Sequence, residues 1–220
     1  MKSRSDVEKH FDIVAGSYDS GKVKYSYYYG NLKKLLKTLI LKNKRVFEIG
    51  CGTGDLLNSV KPKYGYGMDI SSEMIRIANM KYSQKKQIHF SIKWPKDKFD
   101  YIFMSDVIEH LENPVETFQK ISKLMGPKTI FINTMANPIW EPVLMVAEKL
   151  RLKMPEGKHK RIKYMDLGFM IQESGMKITR HGYRLLIPIK IPIITDFANK
   201  YLEKGLQKLA FIEYFVAFKF

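Results

Sequence analysis

The spacing of apolar residues changes period along the chain, and each change marks a different kind of element. Leu32, Leu35, Leu36, Leu39 and Ile40 recur at helical spacing with Lys33, Lys34 and Lys37 on the other face. This predicts a helix over 25–40, crowded at its start by Tyr25, Tyr27, Tyr28 and Tyr29, and an earlier helix over 5–19. From residue 45 short apolar runs bounded by glycine or charge predict strands near 45–49, 64–69, 87–92, 99–104 and 128–133. Helices near 54–60, 71–82 and 113–124 fall between most of them. Such alternation argues for a parallel sheet covered by helices on both faces. After 135 the pattern loosens. Helices are predicted over 139–150 and 164–174, a strand from Met176 to Ile187, and a last strand over 212–220 rich in aromatic and β-branched residues.

Between those last two strands, Phe197, Tyr201, Leu202 and Leu209 approximate one helical face, with Lys200, Glu203, Lys204 and Lys208 elsewhere. Two readings of 185–209 stand. One is an amphipathic element that touches a membrane or admits a lipid-like substrate. The other, favoured by Gly205 and a modest moment, is a helix that packs over the sheet edge and completes the core. Charge adds a second open question. The chain carries a net +16, and part of it lies in a Pro/Gly loop at 151–163. That loop reads either as solvated surface or as a holder for an anionic substrate, a lipid headgroup or RNA. The lysines at 33–45 read as a solvated face.

A chain of 220 residues, 45% hydrophobic, is long enough for one domain with a sizeable core. The single cysteine, Cys51, excludes an internal disulfide and a multi-cysteine zinc site, and reads as a small residue in a tight loop. The opening residues lack the apolar core of a secretory leader, and no apolar run reaches the ~18 residues of a membrane span. A cytoplasmic protein is expected, free or peripheral to a membrane.

The candidate chemistry begins at Val46–Asp55, a buried strand that ends in Glu48 and runs into the loop Gly50-Cys51-Gly52-Thr53-Gly54 before a helix. Glycines let backbone approach a ligand, and the helix start presents free N–H groups. The order G-x-G-x-G with no lysine behind it matches neither the dinucleotide fingerprint nor a phosphate-binding P-loop. Asp69 closes the second strand, where a carboxylate can grip a ribose diol. Ser71 is a plausible cap for the next helix.

Residues 46–56 and 64–79 resemble the first two motifs of class I S-adenosylmethionine-dependent methyltransferases. Phe99 to Leu111 resembles the fourth-strand motif of the small-molecule branch, which includes the ubiquinone- and menaquinone-type enzymes, and Phe11–Asp19 is similar to its N-terminal lid. Met135–Pro142 through Gly157 looks like a subgroup whose members are sometimes associated with glycosyltransferases. The resemblance implies an α/β three-layer sandwich around a seven-stranded, mostly parallel, Rossmann-like sheet with an antiparallel last strand. It divides one domain, 1–220, into a helical lid (1–43), a cofactor-binding core (44–135) and a substrate-side half (136–220).

By the same resemblance Glu48 and the backbone of Gly50, Cys51, Gly52 and Gly54 would hold the methionine part of S-adenosylmethionine. Asp69 would hold its ribose, Ile70 and Met74 its adenine, and Ser105 and Asp106 would lie near the sulfonium. The usual acidic residue after the third strand is missing. Trp94 stands near its place, which implies stacking rather than a hydrogen bond to adenine. Tyr18 and Tyr28, with His10, are expected in the lid, Trp140 on the substrate side, and His110 is either a general base or a residue that positions its loop. Asn137-Pro138-Ile139-Trp140 is similar to a signature of amino-methyltransferases but follows the wrong strand, so a nucleic-acid role is not expected. His159 and His181 suggest no metal site. The expected activity is methyl transfer to a small-molecule or a lipid- or glycan-linked acceptor, at oxygen. The alternatives are an RNA or protein methyltransferase using 151–163 and an inactive cofactor-binding scaffold. The oligomeric state is left open.

Overall fold

The computed structural model describes residues 5–150 and 164–220, so the basic segment 151–163, His159 included, lies outside the described residues. Two helices, α1 (Asp6–Lys24) and α2 (Ser26–Leu39), precede β1 (Arg45–Ile49). There follow α3 (Asp55–Ser59), β2 (Tyr64–Met68), α4 (Ser72–Lys81), β3 (Ile88–Ser91), β4 (Tyr101–Ser105), α5 (Pro114–Leu124) and β5 (Ile130–Ala136). The remaining elements are α6 (Glu141–Lys149), α7 (Tyr164–Glu173), β6 (Met176–Arg184), α8 (Ile194–Phe197) and β7 (Ile212–Lys219). The seven strands form one sheet in the order β3-β2-β1-β4-β5-β7-β6. The first five are parallel, and β7 runs antiparallel between β5 and β6.

Alternate residues of the strands feed two cores, as the pleat requires. Val46, Phe103 and Ile132 pack with Leu32 and Leu36 of α2 and Leu57 of α3. Phe47, Met104 and Phe131 face the other way, onto Phe118 and Ile121 of α5 and Leu167 and Ile171 of α7. The leucine stripe read from the sequence is therefore the buried face of α2, and the architecture is the expected three-layer sandwich.

Two expectations for the second half change. The strand expected to reach Ile187 stops at Arg184, because Leu185 takes φ +67 and donates its N–H to Glu203 Oε2 at 2.7 Å. Nor is the insert one helix. It consists of α8, a π-helical turn at Ala198–Leu202 and a 3-10 turn at Gln207–Leu209. Phe197, Tyr201, Leu202 and Leu209, expected to share a face, are all exposed and do not complete the core.

Asn137 has a structural task that its sequence neighbours disguised. Its Nδ2 donates to Lys208 O and Ala210 O, both at 2.9 Å, and its Oδ1 accepts from Ile139 N. It pins the chain entering β7 to the end of β5, so its amide is unavailable to a target amine. Asn137→Ala leaves carbonyls without their donor and is expected to destabilise the protein by about 2–4 kcal/mol. Urea unfolding of the variant measures this; a change within ~0.5 kcal/mol would contradict the pinning role.

Candidate active site

In this sheet β1 has β2 on one side and β4 on the other, so the loops leaving β1 and β4 part in opposite directions. A crevice must open between them at the carboxyl ends of the strands. It is there, as a cavity of about 410 Å³. That volume falls in the range of ~300–1,000 Å³ usual for small-ligand sites. Its wall includes Glu48, Gly50, Cys51, Gly52, Asp69, Ile70, Met74 and Trp94. Ser105, Asp106, His110 and Tyr18 border the same space. Most, though not all, of the residues expected at the site thus border one cavity.

The loop after β1 is as tight as its glycines imply. Gly50 sits at φ +67, and a Cβ there would collide with the side chain of Val107 from the loop after β4. Gly54, at φ +87, ends the loop just before α3 and is packed under Phe90; it does not line the cavity. Two carboxylates brace this loop from below. Glu48, 2% exposed, accepts from Leu57 N at 2.9 Å. Asp69, 7% exposed, accepts from Gly52 N at 2.7 Å through Oδ2 and from Ser71 N at 2.9 Å through Oδ1. Ser71 in turn caps α4 by accepting from Met74 N.

Burial pushes the Glu48 carboxyl well above the usual carboxylate range; nearby Lys22 and the Leu57 hydrogen bond pull back only in part. Burial also raises Asp69, against the pull of its backbone hydrogen bonds. The Cys51 thiol is buried and pushed up, then raised further by the two carboxylates, so it is a poor nucleophile.

Helix α1 closes the cavity from above. Phe11, Tyr18 and Lys22, seven and then four residues apart, lie on one face and line it. Lys22 Nζ stands 4.4 Å from the Tyr18 ring centroid and 4.8 Å from that of Tyr29. Burial lowers the Lys22 pKa, and Asp55, Glu48 and Asp19 oppose the shift. On the neighbouring stripe Asp12 accepts from Ser71 Oγ at 2.6 Å, and Asp19 accepts from Thr53 Oγ1 and from Lys81 Nζ. These residues hold the lid to the glycine loop and to α4. Sequence reasoning placed Asp12 and Asp19 in the lid segment without giving them a role and passed over Lys22, although Phe11, Ala15, Tyr18 and Lys22 carry the helical spacing that would have shown a functional face. His10, edge-on to Phe11 at 5.3 Å, is on the same helix but does not line the cavity.

The floor at the end of β4 is polar. Ser105 Oγ is buried without a hydrogen-bond partner among the described residues, as is Thr134 Oγ1, its register neighbour on β5. Asp106 follows at φ +55, a conformation that aspartate tolerates better than most residues. Its Oδ2 accepts from Tyr28 OH at 2.6 Å. Tyr28 therefore reaches the site through Asp106 rather than by lining the cavity. Burial, then the Asp106 carboxylate, hold its phenol well above the ordinary range and keep the proton on the donor. His110 lies edge-on to Phe11 of the lid, ring centroids 5.5 Å apart.

Trp94 packs against Phe47 and lines the same cavity as Ile70 and Met74, so a flat apolar ring would find aromatic and aliphatic neighbours there. Trp140 corrects the expectation for it. Its Nε1 donates to Leu209 O at 2.8 Å and its ring stands edge-on to Phe211, outside the cavity wall. His181 is likewise remote, paired with Glu213 at 2.8 Å and stacked on Phe215. No cluster of three or more metal-ligating side chains occurs among the described residues.

A tight glycine loop, a buried carboxylate at the end of β2, an apolar slot and unsatisfied hydroxyls on the floor fit an adenosyl ligand with a charged amino-acid end. Comparison with known proteins agrees. Residues 24–180 match the family model described as "Methyltransferase domain". Phosphoethanolamine N-methyltransferase of Plasmodium falciparum is 35% identical over 107 residues, 43% of this chain and 40% of that enzyme. Ubiquinone biosynthesis O-methyltransferase of Aeromonas salmonicida is 26% identical over 139 residues, 57% of this chain and 58% of that enzyme. The matches therefore span about two fifths to three fifths of these relatives' own length. Magnesium protoporphyrin IX methyltransferase from Synechocystis, solved with bound SAH, shares the fold with a TM-score of 0.58 at 19% identity, over 91% of this chain and 85% of that one. The chain belongs to the methyltransferase domain family.

Proposed function

We propose that this chain, working as one domain, transfers the methyl group of S-adenosylmethionine to an oxygen of a small-molecule or a lipid- or glycan-linked acceptor. The observation that carries the reading is the joining, in one cavity, of the Asp69-braced glycine loop with the polar floor of Ser105, Asp106 and His110. In this reading Asp69 holds the ribose hydroxyls with the oxygen lone pairs its backbone partners leave free. Glu48 and the loop of Gly50, Cys51 and Gly52 take the methionine end, with Gly54 setting the loop's exit into α3. Ile70, Met74 and Trp94 enclose the adenine. The lid 1–43, the core 44–135 and the substrate-side half 136–220 divide the work accordingly. The relatives named for an N- and an O-methylation support a small acceptor of either kind.

The cofactor supplies a methyl group already activated by its sulfonium, so the protein's share is alignment, water exclusion and proton handling. Helix α1 covers the cavity through its Asp12 and Asp19 latches. Asp106, fixed by Tyr28, places a carboxylate oxygen at the floor, where it can orient an acceptor hydroxyl. An acceptor hydroxyl that is methylated has to lose its proton, and the His110 imidazole, bordering the same space, would accept it and pass it to water.

Calorimetric titration tests the cofactor site directly. Micromolar binding of S-adenosylmethionine and S-adenosylhomocysteine is expected, weakened about 10–100-fold by Asp69→Ala through lost charged hydrogen bonds. The melting temperature of the variant checks that the fold survives loss of the bonds from Gly52 N and Ser71 N. Binding of neither ligand would remove the basis of the proposal, and an acceptor screen beginning with phosphorylated and lipid-linked sugars follows from success.

Glu48 gives a second test. Its pKa is raised in the free protein, and a methionine ammonium placed beside it would lower that pKa, so binding releases a proton. Affinity is then expected to rise with pH until Glu48 is already ionised in the free protein, and to fall as the medium is acidified. Titrations in buffers of different ionisation heat read the proton directly, and Glu48→Gln should bind without that proton release. Equal proton release by wild type and Glu48→Gln would assign the effect elsewhere.

A further inference from the structure

The insert between β6 and β7 is folded with its polar side inward. Thr195, Asn199 and Glu203 recur at every fourth position and turn toward the insert's own backbone. Thr195, fully buried, accepts from Ile191 N at 2.7 Å and donates to Ile189 O. Asn199 bonds both backbone groups of Ile187 and reaches Tyr27 OH at 3.1 Å, while Glu203 accepts from Leu185 N. Residues 185–191 belong to no strand, and these side chains satisfy backbone that would otherwise need water.

The apolar residues are left on the outside as a consequence. Phe197 is 55% exposed, Tyr201 60% and Ile193 83%. Ile193 is also held at φ +65, a left-handed conformation that β-branched residues rarely adopt. The fold thus strains its backbone at an isoleucine that faces solvent, which stability alone does not reward. Helix α6 continues the theme: none of its nine residues is buried, and Val143, Met145 and Val146 are exposed. Asn137 and Trp140, at the entry to α6, bond Lys208, Leu209 and Ala210, so the two apolar segments are fastened together. The same segments carry exposed lysines, Lys149 on α6 and Lys200, Lys204 and Lys208 on the arch, alongside an exposed Asp196 that pairs with Lys190.

We propose that the 185–209 arch and α6 form one surface that docks on an anionic phospholipid bilayer, the aliphatic and aromatic side chains entering the interface and the lysines resting on headgroups. Charge selects this occupant. A second copy would set lysine against lysine in a chain of net charge +16, whereas an anionic leaflet attracts both the local lysines and the whole molecule. Apolar insertion and basic attraction together supply the two signals that stable peripheral binding needs. Tyr27, bonded to Asn199, precedes the Tyr28 that holds Asp106, so docking would bring the lid side of the cavity to the membrane. The inference stands apart from the choice of acceptor, because it is scored without turnover.

Flotation of the full chain with vesicles of phosphatidylcholine alone, or with about 30% phosphatidylglycerol, tests it. Binding to the anionic vesicles is expected, weakening as salt is raised. The pair Ile193→Glu with Phe197→Glu should reduce the bound fraction at least about tenfold with melting temperature and S-adenosylhomocysteine affinity unchanged. Lys200→Glu with Lys204→Glu should remove the preference for anionic lipid. Met80→Glu, an exposed site on α4, should have no effect. No flotation with anionic vesicles, or equal flotation of the Ile193/Phe197 variant, would overturn the proposal. So would sedimentation showing a wild-type dimer that the same variant converts to monomer, since the face would then belong to a second copy.

Discussion

Two buried carboxylates set the terms for the rest of this molecule. Glu48 and Asp69 lie at or just beyond the ends of neighbouring parallel strands, where burial alone would be costly without partners. Each is satisfied by backbone N–H groups that only a tight loop or a helix start can aim inward: Leu57 for Glu48, Gly52 and Ser71 for Asp69. The glycine loop, the starts of α3 and α4 and the strand ends are therefore one unit, braced before any ligand arrives. The lid uses the same unit, since Asp12 accepts from the Ser71 hydroxyl and Asp19 from that of Thr53. Lys22 brings a half-buried positive charge toward the same carboxylates. The site is thus a balance of buried charges whose remaining capacity is suited to a ligand carrying both an ammonium and hydroxyls.

Most of the architecture was legible because it rests on short-range rules. Apolar runs of four to seven residues bounded by glycine gave the strands, and the leucine stripe of α2 gave its buried face. The chemistry at Glu48, the glycine loop and Asp69 was legible because one stretch of chain carries each piece. What escaped were residues whose meaning is set by a distant partner. Lys22, Asp12 and Asp19 look like surface charges on a helix until α4 and the glycine loop are placed against them. Trp140 looked like a substrate contact until Leu209 O claimed its indole N–H.

The 185–209 segment defeated periodicity for a different reason. A helical wheel separates polar from apolar faces but does not say which one points inward, and the usual assumption fails here. Thr195, Asn199 and Glu203 are inside because the unpaired stretch from Leu185 to Ile191 needs hydrogen-bond partners, and its own Pro188 can donate none. Pro188, Pro192 and the positive-φ residues Leu185 and Ile193 also keep the stretch before α8 out of any helix.

The position of β7 bears on how the chain reaches this state. Strand β6 is made before β7, yet among the described residues its only strand partner is β7 itself. During synthesis, β1 to β5 can assemble as their sequence emerges, but β6 has no edge to join until residues 212–219 have left the ribosome. In the interval β5 offers an open, largely apolar edge, and Phe131 and Ile132 lack the cover that Phe215 and Val216 later give. A five-stranded sheet formed before β7 docks would present that edge to any strand nearby. Docking of β7 closes that edge and gives β6 its partner in a single step. Completion of the sheet therefore waits on residues 212–219, whatever part of it has assembled before.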